Sequence, residues 1–151
     1  RVADIAVPFE APVGPAKLEA YIADESDTAM ARLMRNWAIR VQSAIEADKV
    51  PTSESSQMQM LTIGPLTIVA TPGEPVQEIG HAIEAEWDGT AVCEELWPCG
   101  YCNDLIGYLT TARHRVEGGY EPNAYLYFNR LLPFKDEEDV VLDGARRLLG
   151  D

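Results

Sequence analysis

The stretch "LTIVATPGEPVQEIG" constrains this chain more than any other. An apolar, β-branched run stops at Pro72-Gly73-Glu74-Pro75, and apolar residues then recur at helical spacing on Val76, Ile79, Ala82 and Ile83. A buried strand must therefore turn sharply into a helix that ends near Trp87-Asp88-Gly89. Leu66 to Ala70 is almost wholly apolar, which predicts a central strand covered on both faces. Ahead of it, Gly64-Pro65 separates two β-rich segments and predicts a hairpin over 57–70. The turn after that strand leaves a single carboxylate, Glu74, at the strand exit, with Gly73 free to bend and two prolines stiffening the backbone. Glu74 reads either as a solvated turn residue or as a group aimed at a ligand.

The remaining elements fall around this unit. "VADIAV" at 2–7 predicts a short strand, and a proline-rich extended stretch follows it. A short helix is expected from Pro15 through Leu18, Tyr21 and Ile22. Ser26 is the expected N-cap of a long helix over about 27–48. Its stripe of Met30, Leu33, Met34, Trp37, Val41, Ala44 and Ile45 predicts core packing. Residues 51–56 read as a polar loop. "ELWPCGYC" is a strand candidate weakened by Pro98, and it runs into "NDLIGYLTT". A short helix over 110–117 ends at Gly118-Gly119, and "AYLYF" at 124–128 reads as a strand or an ordered loop. The closing "DEEDVVLDGARRLLGD" places acids first and arginines last, which suits a helix dipole over about 136–149, with Gly150 as its C-terminal cap. This order predicts an α/β or mixed α+β fold, a layered sheet with flanking helices.

Composition limits the partners. The chain has 151 residues, 46% of them hydrophobic, enough for one domain with a real core. A formal net charge of −13 argues against nucleic acid, whose phosphates it would repel. No run of 18 apolar residues is present, so no membrane span is expected. The first residue is Arg1, which predicts a terminus made by processing, proteolysis or design, and the expectation is a piece of something longer. Cys93, Cys99 and Cys102 are odd in number, and the expectation is buried thiols, with one disulfide or a zinc knuckle at Cys99-x-x-Cys102 as alternatives. His81 and His114 read as surface or half-buried histidines.

Two strand exits carry polar residues. One presents Glu74; the other presents Asn103, Asp104 and Tyr108, with Thr110 and Thr111 behind. If the strands ending at Ala70 and Tyr101 run parallel, joined by the helix after the turn, both exits open on the same edge of the sheet. Ligands bind at that edge in open α/β sheets. Glu74 and the "NDLIGY" loop are then expected to face one crevice.

The segments "LTIGPLTIVATPGEPVQEIG" and "GYCNDLIGYLTTARHRVEGGYE" resemble the C-terminal part of the catalytic domain of neutral/alkaline non-lysosomal ceramidases. The resemblance extends over the whole chain, and residues 57–121 carry nearly all of its specificity. It implies a zinc-dependent amidase that cleaves the N-acyl bond of ceramide, releasing a fatty acid and sphingosine. It implies a zinc ion held by two histidines from upstream of residue 1, then by Glu74 of the Gly-Glu turn and by Tyr108, which precedes Thr-Thr. A second tyrosine, Tyr120 in "GGYE", would stand near the scissile amide, twelve positions after Tyr108. Zinc accepts carboxylate and phenolate oxygen, and a hydroxyl beside a carbonyl suits a developing oxyanion. The implied partners are a lipid-like or other N-acyl small molecule and the upstream part of the same parent chain. A secreted or periplasmic location follows from the resemblance alone. The chain departs from the family pattern at Pro75, where a Phe is usual, and at Gly119, where an Arg is usual. These departures widen the substrate class to other N-acyl or amide compounds. A non-catalytic binding or scaffold domain derived from the same fold is the competing expectation.

Overall fold

The strand–turn–helix unit builds one half of a crossover between parallel strands. In a computed structural model, which describes residues 1–91 and 93–150, the chain order is β1 (Val2–Pro8), α1 (Pro15–Ala23), α2 (Ala29–Glu46), β2 (Ser53–Ile63), β3 (Leu66–Ala70), β4 (Glu74–Pro75), α3 (Gln77–Trp87), β5 (Glu95–Cys99), β6 (Tyr108–Leu109), α4 (Ala112–Glu117), a 3-10 helix (Glu121–Leu126) and α5 (Glu137–Leu149). β3 and β5 are parallel, with Ala70 opposite Cys99, and α3 joins them. Strands β1, β2, β3 and β5 form one mixed sheet in that order, and β4 pairs with β6 in a second, two-stranded sheet. This is an α/β layered fold with flanking helices.

Alternation along the strands sets the core. Ala3, Ile5, Val7, Met58, Val69 and Leu96 point to one face and pack with Ile79 and Ile83 of α3 and with Val141, Ala145 and Leu148 of α5. The opposite face is less covered than the apolar run of β3 predicts. The register aligns Leu61, Ile68 and Trp97 across three strands on that face, and Leu61 and Trp97 are exposed. Pro98 fits because β5 is an edge strand, with a ladder partner on one side only.

A second, smaller core lies under α1 and α2, where Leu18, Trp37, Ala38 and Val41 meet Leu126. Trp37 donates from its indole nitrogen to the Leu131 carbonyl at 2.8 Å. The Met and Trp stripe is thus only partly core, since Met30 and Ile45 are exposed.

Several local expectations are corrected. Thr28, not Ser26, caps α2; its hydroxyl accepts from the Ala31 backbone, while the Ser26 amide donates to Asp24. The polar segment 51–56 is not all loop, because Ser53 to Ser56 pair with β1 and extend β2. Backbone pairing overrides their low β-propensity. The helix expected from 110 starts at Ala112, because the Thr111 hydroxyl caps it and Tyr108–Leu109 are strand. "AYLYF" is not strand: its first three residues close a 3-10 helix that Pro122 helps to start, and Tyr127 and Phe128 follow in a turn. Pro75 sits in β4, and Val76 is the N-cap of α3.

Candidate functional site

Both strand exits do open on one edge of the sheet. β3 leaves at Ala70 and β5 at Cys99, and the two following loops bind each other through Thr71 N to Cys99 O at 2.8 Å and Cys102 N to Thr71 O at 3.1 Å. The Gly73–Glu74 peptide is then held from two sides. Its carbonyl accepts from Tyr101 N at 2.6 Å, and its N–H donates to Gly107 O at 2.8 Å. In a trans peptide these two groups point in opposite directions, and the chain has no cis bond among its described residues. One loop, running from Tyr101 to Gly107, therefore clasps the turn on both flanks. Gly73 is required there: its φ is +69°, and a Cβ would overlap the Gly107 carbonyl oxygen.

This clasp aligns Glu74 directly opposite Tyr108 in the β4–β6 pair. Both residues line a cleft of about 260 Å³, together with Tyr101, Leu105, Gly107, Phe128 and Arg130. Tyr120 stands edge-on to Tyr108, with ring centroids 5.7 Å apart and planes at 80°. Tyr127 flanks Tyr120 at 5.5 Å. Glu74, Tyr108 and Tyr120, far apart in sequence, thus meet in one aromatic-walled patch.

The Glu74 carboxylate raises two phenols that line the same cleft. Its hydrogen bond pushes the Tyr101 hydroxyl up to about 12, with desolvation and charge adding to it. The same hydrogen bond, then desolvation, raises Tyr108. Both are neutral phenols at physiological pH. The sign of the linkage follows: a raised folded value means that this contact is fully present below the ordinary tyrosine range and is lost as pH climbs through about 12.

Behind Tyr108 the segment is anchored by α5. Glu137 is only 3% exposed, and its Oε1 accepts from Thr110 N at 3.3 Å and Thr110 Oγ1 at 2.5 Å. Its Oε2 has no hydrogen-bond partner among the described residues and lies 3.7 Å from the Arg115 guanidinium. Glu138 accepts from Ala112 N at 3.1 Å. These two acids hold the backbone that follows Tyr108. Replacing Glu137 with Ala leaves two buried donors unpaired, which costs about 1–3 kcal/mol. Urea unfolding should show that loss for Glu137→Ala and a smaller one for Glu137→Gln, which keeps an acceptor; equal stability of all three proteins would remove this anchor from the account.

Arg130 completes the floor. It pairs with Glu54 at 3.1 Å and lies over the Phe134 ring at 4.9 Å. The histidines stand elsewhere. His114 contacts the Thr111 hydroxyl at 2.9 Å, and His81 meets Gln77 at 3.2 Å and lines a neighbouring groove that also includes Glu74 and Tyr101. Cys93, Cys99 and Cys102 are all free thiols, and burial raises Cys102. Among the described residues, no group of three or more His, Cys, Asp and Glu side chains is placed to hold a metal. None of their helices is long and apolar enough to cross a membrane.

The sequence reading passed over Tyr101, Phe128, Arg130 and Glu137. Tyr101 had a signal, since it follows a strand at the edge where Glu74 emerges. The other three reach the site from the far end of the chain, and no spacing announces them. Comparison with family models, with curated proteins and with solved structures finds no match to this chain.

Proposed function

We propose that these residues form the C-terminal part of a zinc-dependent amidase resembling neutral ceramidase, acting on an N-acyl amide. The observation that carries the reading is the meeting of Glu74 and Tyr108 at paired positions of β4 and β6, with Tyr120 edge-on beside them. The donor set suits zinc as far as it goes. One carboxylate and one phenol are oxygen donors that zinc accepts, and they supply two of the four ligands such a site needs. The other two would be histidines from the upstream part of the parent chain. Bound zinc would supply Lewis acidity toward the amide carbonyl and toward water.

The chain's own residues have separate tasks in this reading. Glu74 offers a carboxylate whose backbone is clasped on both sides, so little ordering remains for binding to achieve. Tyr108 offers its hydroxyl oxygen across the same strand pair. Tyr120 would donate from its hydroxyl to the oxygen that gains charge as the amide is attacked. Phe128, Leu105 and Tyr127 present apolar surface beside these groups, which suits an acyl chain.

Metal analysis of the intact parent protein, paired with release of fatty acid from N-acyl substrates, tests the reading. One zinc per chain and amide hydrolysis are expected. Residues 1–151 alone should lose zinc to a mild chelator, because two oxygen ligands hold it poorly. A parent protein with neither zinc nor amidase activity leaves the binding or scaffold domain as the better account, and zinc retained by residues 1–151 alone refutes the upstream ligands.

A further inference from the structure

One cation stands among the tyrosine, phenylalanine and leucine walls of the Glu74 cleft, and the amidase reading leaves it unused. Arg130 is held there by three contacts. Its amide donates to the Tyr125 carbonyl at 3.0 Å, its Nη1 donates to Glu54 at 3.1 Å, and its guanidinium lies over the Phe134 ring at 4.9 Å. Gly107 makes room for it, since a Cβ at 107 would meet Arg130 Nε at 3.4 Å and Cζ at 3.9 Å. Gly107 directly precedes Tyr108, and its carbonyl accepts from the Glu74 amide at 2.8 Å. The guanidinium therefore stands beside the backbone that ties Glu74 to Tyr108. A guanidinium offers five N–H donors. Among the described residues, Nη1 alone of the Arg130 side chain has a hydrogen-bond partner. The side chain is 20% exposed, and none of its nitrogens is both buried and unpaired. The spare donors thus keep access to open space. Arg130 borders two such spaces, the cleft of about 260 Å³ and an adjoining pocket of about 30 Å³. The smaller has room for a water or two, so the cleft is the one that takes a ligand.

We propose that Arg130 binds a carboxylate on the amine half of the substrate, so that the compounds cleaved are N-acyl amino acids. The proposal rests on the amidase reading and names its substrate class. The planar fork of an arginine matches a carboxylate better than any other side chain does. Closeness decides which carboxylate it is. The guanidinium packs against the residue next to Tyr108, so the charge it meets must lie near the scissile amide. The carboxylate of an α-amino acid lies there, and one at the far end of an acyl chain does not. The charges agree with this. Arg130 and Glu54 balance each other, and a zinc ion on Glu74 would keep a positive charge that one substrate carboxylate neutralises. An uncharged amino alcohol offers no anionic acceptor to this fork, and hydrogen bonds to charged groups are the stronger ones. Phe128 and Leu105 remain free to meet the acyl chain.

The binding test uses the intact parent protein stripped of zinc, so that nothing is cleaved. N-dodecanoylglycine and its methyl ester are the probes, and titration calorimetry gives the affinity of each for the wild type and for Arg130→Met. The acid should bind the variant about 10-fold more weakly, and the ester should bind both proteins alike. Comparing the four values separates the arginine–carboxylate contact from any general effect of the substitution and from repulsion by Glu74. Should Arg130→Met fail to fold, Arg130→Lys replaces it. It keeps a charge beside Glu54 but not the fork, and the acid should still weaken relative to the ester. With zinc restored, the wild type should cleave N-dodecanoylglycine at a lower KM than N-dodecanoylethanolamine, and the variant should lose that preference. Equal effects on acid and ester overturn the role of Arg130 and leave the amidase reading standing. Ethanolamide cleaved at the lower KM overturns the substrate class, again without touching the amidase reading. Cleavage of neither compound, with the selective loss for the acid intact, overturns the amidase reading and leaves Arg130 as a carboxylate-binding residue.

Discussion

On the amidase reading proposed above, Glu74→Gln in the intact parent protein is expected to abolish zinc binding and amide hydrolysis while leaving the fold in place. The two side chains have nearly the same shape, and the backbone clasp around residue 74 does not use the carboxylate. The charge is what changes. A neutral amide is a far poorer zinc ligand, so the loss should exceed the roughly 10–100-fold that changes behind a ligand produce. Chelator competition gives the affinity, fatty-acid release gives the rate, and circular dichroism checks the fold. A solvated turn residue at 74 predicts near-normal values for all three, and that result would remove the metal site from this chain.

Gly73→Ala should have the opposite signature, losing fold and site together. The left-handed backbone alone costs an alanine about 1–2 kcal/mol. The new Cβ would also overlap the Gly107 carbonyl, a backbone atom that cannot move without opening the β4–β6 pair. The sum should approach the ~3 kcal/mol upper end of ordinary point mutations. Gly64→Ala is the control. Gly64 has a similar φ of +60°, but a Cβ there meets nothing within 4 Å. It should show the conformational cost alone. Denaturant unfolding of both variants separates the terms; equal losses would mean that the approach of Gly107 does not constrain the turn.

Much of the frame was legible because it rests on local pattern. The apolar run of β3, its breaker and the helical spacing of α3 imply a crossover, and the crossover implies that both exits share an edge. The meeting of Glu74 and Tyr108 follows from that geometry. What escaped was set by partners distant in sequence. Ser53 to Ser56 became strand because β1 offered unpaired backbone, not because serine favours strands. Thr28 displaced Ser26 as a cap by two positions, and the Ser26 amide instead closes a local bond to Asp24. Glu137 looked like one more acid in a helix's first turn, and its burial beside Thr110 depends on how α5 lies across the sheet. Arg130 reaches the cleft from beyond the 3-10 helix, and its pairing with Glu54 spans 76 positions.

The clasp around the Gly73–Glu74 peptide sets a rule for how related chains can differ in length. The segment from Tyr101 to Gly107 must reach one side of that peptide at its start and the other side at its end. One residue more or fewer would break the match at one of the two anchors and turn Glu74 or Tyr108 away from the cleft. The hairpin turn at Gly64 faces no such double fit, since a side chain there would enter open space. Length in this family of shapes is therefore rationed unevenly: the loop that looks most like spare surface is the one whose residue count the site depends on.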